Sequence, residues 1–328
     1  MDVTGPGAGT ADPRLVARAA DVAVLECLAV RPKEGVLVVT DEPARAMGVV
    51  LWEAARRAGA EVALMEMLPR GNHGQEPPAA VAAAMRAAAA CFLATSRSLS
   101  HTEARRAASA AGSRIASMPE INADTMARAV GADYTVIARD TEALAAALGG
   151  ARVARVTTPA GTDLTLDLTG RRMLPDAGLY RRRGDFGNLP AGEVFGAPLE
   201  GSASGTVVID GSISGIGRVD RPVRVEVRNG KAASIDGGEA AERLRQVLDL
   251  HGEAGHNLAE LGLGTNGGAT LCGVVIEDEK VRGTAHVAFG SNDGFGGTVR
   301  VPVHIDVILL RPTVVVDGRT ILKDGQIL

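Results

Sequence analysis

The sequence predicts two domains: a doubly wound, parallel-sheet α/β domain over residues 1–151 and a mainly antiparallel α+β domain over residues 152–328. Two observations support this prediction. A chain of 328 residues is longer than one typical hydrophobic core requires. The apolar pattern also changes near residue 152: short apolar runs alternate with Ala-rich stretches before it, whereas single apolar and polar residues alternate after it.

The N-terminal domain is predicted from three apolar runs that alternate with three helical stretches. A buried parallel strand is apolar throughout because helices cover both of its faces. No glycine-rich fingerprint opens any of these helices, so the sequence does not indicate a dinucleotide site. The predicted strands are 35–40, 61–65 and 91–95, and the predicted helices are 43–58, 78–89 and 102–111.

The C-terminal domain is predicted from alternating segments that are separated by turn signals. Asn229-Gly230 and Asp317-Gly318 are typical of tight hairpin turns. One helix, at about residues 238–250, interrupts the strands. The predicted strands are 162–168, 205–209, 222–228, 284–289, 299–309 and 313–316.

Composition is that of an ordinary globular protein. With 46% apolar residues, 23% charged residues and a formal net charge of −4, neither disorder nor a nucleic-acid partner is expected. Residues 1–7 lack a basic region followed by an apolar run, and no stretch reaches the roughly 20 apolar residues of a membrane span. We therefore expect a cytoplasmic protein with no membrane partner. Three widely separated cysteines without CxxC spacing indicate neither a disulfide framework nor a thiolate metal site: Cys27, Cys91 and Cys272.

Two histidines and two carboxylates in the last third of the chain have the residue types of a metal site. His304 and Asp306 stand two residues apart on a predicted strand, so both point to one face about 6–7 Å apart. Ile305 between them points to the opposite, apolar face. His286 lies on a strand that leads into a glycine-rich loop, and Glu260 lies upstream. Nitrogen and oxygen ligands of this kind suit zinc, manganese, cobalt or iron(II).

Four motifs occur in the order and near the spacings of the thermophilic metalloaminopeptidase family, the aminopeptidase T type, and the chain resembles a short member of that family. The motifs are Pro190–Phe195, Ala259–Asn266, Gly283–Ser291 and His304–Asp306. The resemblance implies a homodimer and a site for two divalent ions, zinc, cobalt or manganese. It implies as ligands Glu193, Glu260, His286, His304 and Asp306.

The same resemblance implies a hydrolase that acts on an amide or peptide bond of a small molecule or short peptide. Two ions would activate a shared water and polarise the carbonyl, and Glu260 would be the proton-transfer base. The chain departs from the family at one position. Members carry a tyrosine seven residues after the position of His286, whereas this chain has Asp293, which becomes a candidate ligand in its place.

A second branch of the same fold superfamily gives an alternative function. The 2,5-dihydroxypyridine dioxygenases, which the chain also resembles, hold one iron(II) through two histidines and one aspartate and cleave a dihydroxypyridine-type ring. His304 and Asp306 match that set, but the branch's other histidine falls at Glu260, and the branch lacks the glutamate found here at Glu193. The two glutamates favour the dinuclear hydrolase. A non-catalytic, ligand-binding relative is a third alternative.

His101 is a further candidate catalytic residue. It follows a predicted strand at the carboxyl end of the parallel sheet, where open α/β sheets bind ligands. Residues 99–101 also resemble the active-site histidine region of the dioxygenase branch. In the alternative interpretation, Ser100 or Thr102 caps the next helix and His101 merely lies near its start.

Overall fold

The structure, a computed structural model, describes residues 11–328, so the N-terminal segment 1–7 considered above lies outside the described residues. The helices are α1 (Pro13–Asp21), α2 (Arg45–Arg57), α3 (Ala79–Ala87), α4 (Glu103–Ala111), α5 (Ala123–Thr125), α6 (Tyr134–Ala147), α7 (Glu239–Asp249), α8 (Gly252–Gly255) and α9 (Val275–Asp278). No helix within residues 11–328 has both the length and the apolar character needed to cross a bilayer.

The strands are short and numerous. They are β1 (Gly35–Asp41), β2 (Glu61–Met67), β3 (Ala90–Ala94), β4 (Arg114–Ser117), β5 (Val153–Thr157), β6 (Asp163–Asp167), β7 (Leu174–Asp176), β8 (Phe186–Asn188), β9 (Glu193–Gly196), β10 (Ser204–Ile209), β11 (Ser212–Ile213), β12 (Gly217–Arg218), β13 (Val223–Arg228), β14 (Lys231–Asp236), β15 (Leu258–Gly264), β16 (Ala285–Gly290), β17 (His304–Leu309), β18 (Thr313–Val316), β19 (Arg319–Lys323) and β20 (Gln326–Ile327).

The chain divides into two compact units. The first contains the described residues up to Ala138 together with Gly178–Ala191, and the second contains Arg139–Ala177 and Gly192–Leu328. The sequence placed a single boundary at residues 151/152. The structure differs because the second unit already begins at Arg139 and because strand β8 returns to the first unit, where it pairs in parallel with β4. Strand β8 has only three residues, too few for a recognisable sequence pattern.

The first unit is built on a parallel sheet with the strand order β2-β1-β3-β4-β8. Alternate residues of its strands enter two different hydrophobic cores: in β1, Val36 and Val38 lie in one core, and Leu37 and Val39 lie in the other. Helices α1 and α2 contribute to the first core, and α3 and α4 contribute to the second. This arrangement explains the apolar runs and confirms the predicted doubly wound domain.

The second unit contains two antiparallel sheets, as predicted. Their strand orders are β14-β13-β10-β6-β5-β18-β19-β20 and β12-β11-β17-β16-β15-β9-β7. Inward-facing residues of both sheets share one core, with Val156 and Val225 from the eight-stranded sheet and Leu261 and Val287 from the seven-stranded sheet. The other face of the seven-stranded sheet is therefore available for polar side chains.

Candidate metal centre

The predicted ligands in the second unit lie on one face of the seven-stranded sheet. Strand alternation places them there: Leu261 and Leu263 of β15 pack into the core, so the residues between and beside them face away from it. Val287 of β16 and Val307 of β17 also pack into the core, so the residues before and after each of them face away from it. The residues that this alternation places opposite the core are Glu193 on β9, Glu260 on β15, His286 on β16, and His304 and Asp306 on β17.

Gly262 makes room for one of these side chains. It pairs with His286 across β15 and β16, and a Cβ atom at position 262 would lie 2.0 Å from Nε2 of His286. The imidazole of His286 therefore lies against the backbone of Gly262, and glycine is needed for this close approach rather than for an unusual backbone conformation.

His304 is held in the orientation of a metal ligand. Its Nδ1 lies 2.8 Å from the carbonyl oxygen of Ser291, and because a carbonyl only accepts, Nδ1 is the donor and carries the proton. Nε2 lies 3.4 Å from Oε2 of Glu260 and 3.3 Å from Oδ1 of Asp306, and in the neutral form of the ring, the form that binds a metal, it carries the lone pair. Metal-binding histidines are commonly fixed in this way. Glu260, His304 and Asp306 thus form a ligand set that fits a divalent cation.

His286 is at the centre of a second group. It is fully buried, with Nε2 3.1 Å from Oε2 of Glu193 and 3.4 Å from Oε1 of Glu260. Its Nδ1 has no hydrogen-bond partner among the residues that the structure describes. The carboxylate of Glu260 therefore lies between the two histidines, one oxygen toward each.

Two residues that the sequence interpretation missed belong to this second group. Glu279 lies with Glu193 and His286 in a set whose ligand atoms are within 4.8 Å of one another. Nζ of Lys280 lies 2.5 Å from Oε1 of Glu193 and 2.5 Å from Oε1 of Glu279, and the Lys280 side chain is fully buried. In sequence, Glu-Asp-Glu-Lys at 277–280 has the composition of a solvated charge run. No local pattern reveals that it is buried.

The centre carries an excess of negative charge. Burial alone would lower the pKa of His304, but Asp306 and Glu260 raise it well above its usual value. Burial likewise opposes the charged form of Lys280, yet Glu193, Glu279 and Asp176 raise its pKa well above the ordinary value.

The pKa values of Glu279 and Glu260 shift in opposite directions. Burial raises the pKa of Glu279 to about 8, with Glu193 and Asp306 adding to the effect against the opposing charge of Lys280. Burial would also raise the pKa of Glu260, but the two histidines lower it to about 2. The raised pKa values of His304 and Lys280 mean that the carboxyl groups around them stabilise positive charge, and a divalent ion would be stabilised in the same way.

Two predicted site residues lie outside both groups. Asp293 is exposed, accepts a hydrogen bond from Oγ of Ser291 and lies 3.8 Å from Nε of Arg300. His101 belongs to the first unit and is exposed in the turn before α4. Thr102 caps that helix by accepting a hydrogen bond from the backbone N–H of Arg105, as the alternative interpretation proposed. Ligation by Asp293 and catalysis by His101 stay predictions.

Aromatic side chains lie beside the His304 group. The rings of Phe295 and His304 meet edge to face with centroids 5.8 Å apart, and Phe195 meets Phe295 at 5.6 Å. Phe295 thus lies between the imidazole of His304 and the ring of Phe195. Such contacts restrict the imidazole and give the centre an apolar, aromatic border.

Comparison with known proteins gives a family match over nearly the whole chain. The sequence profile of a family described as NicX, 2,5-dihydroxypyridine 5,6-dioxygenase, matches residues 18–328. The 2,5-dihydroxypyridine 5,6-dioxygenase of Pseudomonas putida KT2440 is 24% identical over 195 residues, which is 54% of this chain and 54% of that protein. The alignment therefore spans about half the length of this curated relative.

Two solved structures share the fold. The 2,5-dihydroxypyridine dioxygenase from Pseudomonas putida KT2440 matches with a TM-score of 0.80 and 20% identity, over 98% of both chains. Wild-type AmpT from Thermus thermophilus matches with a TM-score of 0.70 and 19% identity, over 97% of this chain and 100% of that chain. At these identities the two structures establish the architecture of the chain and leave its chemistry to its own residues.

Proposed function

Because the chain belongs to the 2,5-dihydroxypyridine 5,6-dioxygenase family, we propose that it is a metal-dependent dioxygenase that opens the ring of a small dihydroxylated pyridine-type substrate. The proposed metal is a single iron(II) ion, and the proposed ligands are Glu260, His304 and Asp306. The sequence alone favoured a dinuclear hydrolase, and the family match supports the dioxygenase alternative better.

The observation that carries the proposal is the orientation of His304. Its Nδ1 donates to the carbonyl of Ser291 and its Nε2 points between the carboxylates of Glu260 and Asp306. One imidazole nitrogen and two carboxylate oxygens can hold iron(II) and leave coordination positions for other molecules. The set departs from two histidines and one aspartate because Glu260 replaces a histidine.

The residues around this set suit an aromatic substrate. Iron(II), when bound, would supply the redox chemistry through which dioxygen reacts with the ring. Phe295 provides apolar contact surface beside His304, and Phe195 packs against Phe295. Glu260 and Asp306 are buried, so they would act on a substrate in surroundings from which much of the water is excluded. His101 is retained as a proposed acid or base, on the strength of its position after β3 in the first unit.

A dinuclear hydrolase is the second candidate function. The arrangement that favours it is the carboxylate of Glu260, with Oε1 3.4 Å from Nε2 of His286 and Oε2 3.4 Å from Nε2 of His304. A carboxylate between two imidazoles has the form of a bridging ligand, and two ions so bridged could activate a shared water. This candidate requires a second ion in the group around His286.

Oxygen consumption tests the proposed function. The protein would be stripped of metal with chelator, reconstituted anaerobically with iron(II), and mixed with 2,5-dihydroxypyridine in an oxygen-electrode cell. The proposal expects iron-dependent uptake of one O₂ per substrate consumed, both oxygen atoms entering the ring-opened product. Zinc-loaded protein is the control and should consume no oxygen. Hydrolysis of an aminoacyl amide by zinc-, cobalt- or manganese-loaded protein, without oxygen uptake by the iron form, would instead favour the hydrolase.

A further inference from the structure

We infer that Lys280 is a built-in cation that takes the place of a second metal ion, so that each chain binds one divalent ion. The inference rests on the proposed function only in requiring that Glu260, His304 and Asp306 bind a metal. It concerns the second group, formed by Glu193, Glu279 and His286, whose residue types would otherwise suit an ion of their own.

The ammonium group binds two of the three side chains that a second ion would need. Nζ of Lys280 is 2.5 Å from one oxygen of Glu193 and 2.5 Å from one oxygen of Glu279. Both carboxyl groups are thereby engaged by the ammonium at hydrogen-bond distance. A divalent ion bound by the same two oxygens would lie next to the ammonium, and the repulsion between the two cations would be strong in this buried setting.

The ammonium group of Lys280 cannot easily move away from Glu193 and Glu279. Its side chain is fully buried, and its carbonyl accepts a hydrogen bond of 2.8 Å from the backbone N–H of Asn266. The next residue, Val281, packs so closely on β15 that a Cβ at Gly264 would lie 2.1 Å from its carbonyl oxygen. The backbone that carries Lys280 is therefore fixed against β15.

The acidic residues that precede Lys280 hold its segment in a second way. Glu277 accepts a hydrogen bond from the backbone N–H of Thr270, and Asp278 accepts bonds from those of Cys272 and Gly273. These contacts fasten the segment to the loop before α9. Moving the ammonium out would also leave Glu193 and Glu279 buried without their positive partner.

The hydrogen bonds of the two histidines are consistent with a metal ion in the group of His304 and the ammonium of Lys280 in the group of His286. His304 donates from Nδ1 to a carbonyl oxygen, which fixes it for ligation through Nε2. Nδ1 of His286 has no acceptor among the described residues. Only the group around His304 therefore has the supporting hydrogen bond that metal-binding histidines usually make.

Metal stoichiometry tests the inference without any assay of turnover. Wild type, Lys280→Met and the surface control Lys231→Met would be stripped with chelator, equilibrated with Mn²⁺ alone and analysed for bound manganese per chain. Electron paramagnetic resonance would distinguish an isolated Mn²⁺ ion from an exchange-coupled pair. Wild type and Lys231→Met should bind one isolated ion. Lys280→Met, which frees both carboxylates, should bind a coupled pair.

Two results would overturn the inference: a coupled pair in the wild type, or no second ion in a folded Lys280→Met variant. The wild-type result does not depend on the folding of any variant. Lys280→Arg, which conserves the charge, gives a further comparison and should also bind one ion, whereas a pair there would contradict the inference. One bound ion without oxygen uptake would refute the proposed function and leave the role of Lys280 standing. No bound ion in the wild type would refute both.

Discussion

Nε2 of His304 lies 3.3 Å from Oδ1 of Asp306, although only Ile305 separates the two residues on β17. Alternation along the strand puts both side chains on one face, and Ile305 points the other way. Oε2 of Glu260 approaches the same nitrogen from β15, at 3.4 Å. Three candidate ligand atoms from two strands thus converge on one point.

Asp306→Asn should weaken metal binding. Losing an outer hydrogen-bond partner of a ligand typically costs 10–100-fold in affinity, so weakening a direct ligand should cost at least about 100-fold. Calorimetric titration of stripped protein with Mn²⁺ measures the effect. Asp293→Asn is the matched control, because Asp293 is exposed and lies outside both groups. Equal weakening in both variants would show that Asp293 is also a ligand.

Glu260→His should give a centre with two imidazoles and one carboxylate, the ligand set associated with iron(II) oxygenases. We expect iron(II) to be preferred over magnesium more strongly than in the wild type, with oxygen uptake retained. Competition binding between the two metals measures the preference. The control is Glu253→His, at a surface glutamate that pairs with Lys231. Loss of all oxygen uptake in Glu260→His alone would contradict the assignment of a mononuclear iron site.

Gly262→Ala should disturb the centre through packing. The added methyl would lie 2.0 Å from Nε2 of His286, so the imidazole must move, and His286 lies beside Glu260. We expect a loss of about 1–3 kcal/mol in the free energy of unfolding, measured by urea denaturation, together with weaker Mn²⁺ binding. Gly267→Ala should change neither quantity, because a Cβ there meets nothing within 4 Å. A neutral Gly262→Ala would mean that His286 has another position of equal energy.

His101→Gln tests the proposed acid–base residue. Proton transfer by a positioned side chain contributes about 100-fold or more to a rate, so kcat for ring opening should fall by about 100-fold while Mn²⁺ affinity stays at the wild-type value. Steady-state oxygen uptake and calorimetry give the two numbers. His251→Gln, at the start of α8, is the control. If kcat is unchanged, His101 has no role beyond its position next to the Thr102 cap.

Local pattern was enough to predict the parallel sheet and the pairing of His304 with Asp306. Helices on both faces of a sheet leave apolar runs, and residues two apart on a strand share a face. The environment of Lys280 could not be predicted, because it depends on the chain returning to β15 after α9. Strand β8 could not be predicted for a similar reason: its three residues form a strand only because they pair with β4, which is far away in sequence.

Glu193 shows a further limit of prediction from local sequence. Its strand is four residues long, and only resemblance to a family raised it above an ordinary surface carboxylate. The structure puts it within reach of both His286 and Lys280. Whether Glu193 binds a metal or an ammonium is therefore decided by a residue that lies 87 positions away in sequence, which no local pattern could reveal.

The position of bound metal tests the single-metal centre most directly. Crystals of the stripped protein soaked with Mn²⁺ would be measured at the manganese absorption edge, and the anomalous difference map would locate every ion. We expect one peak, among Glu260, His304 and Asp306, with Lys280 still between Glu193 and Glu279. A second peak within the group of Glu193, Glu279 and His286, or no peak at His304, would contradict a single-metal centre.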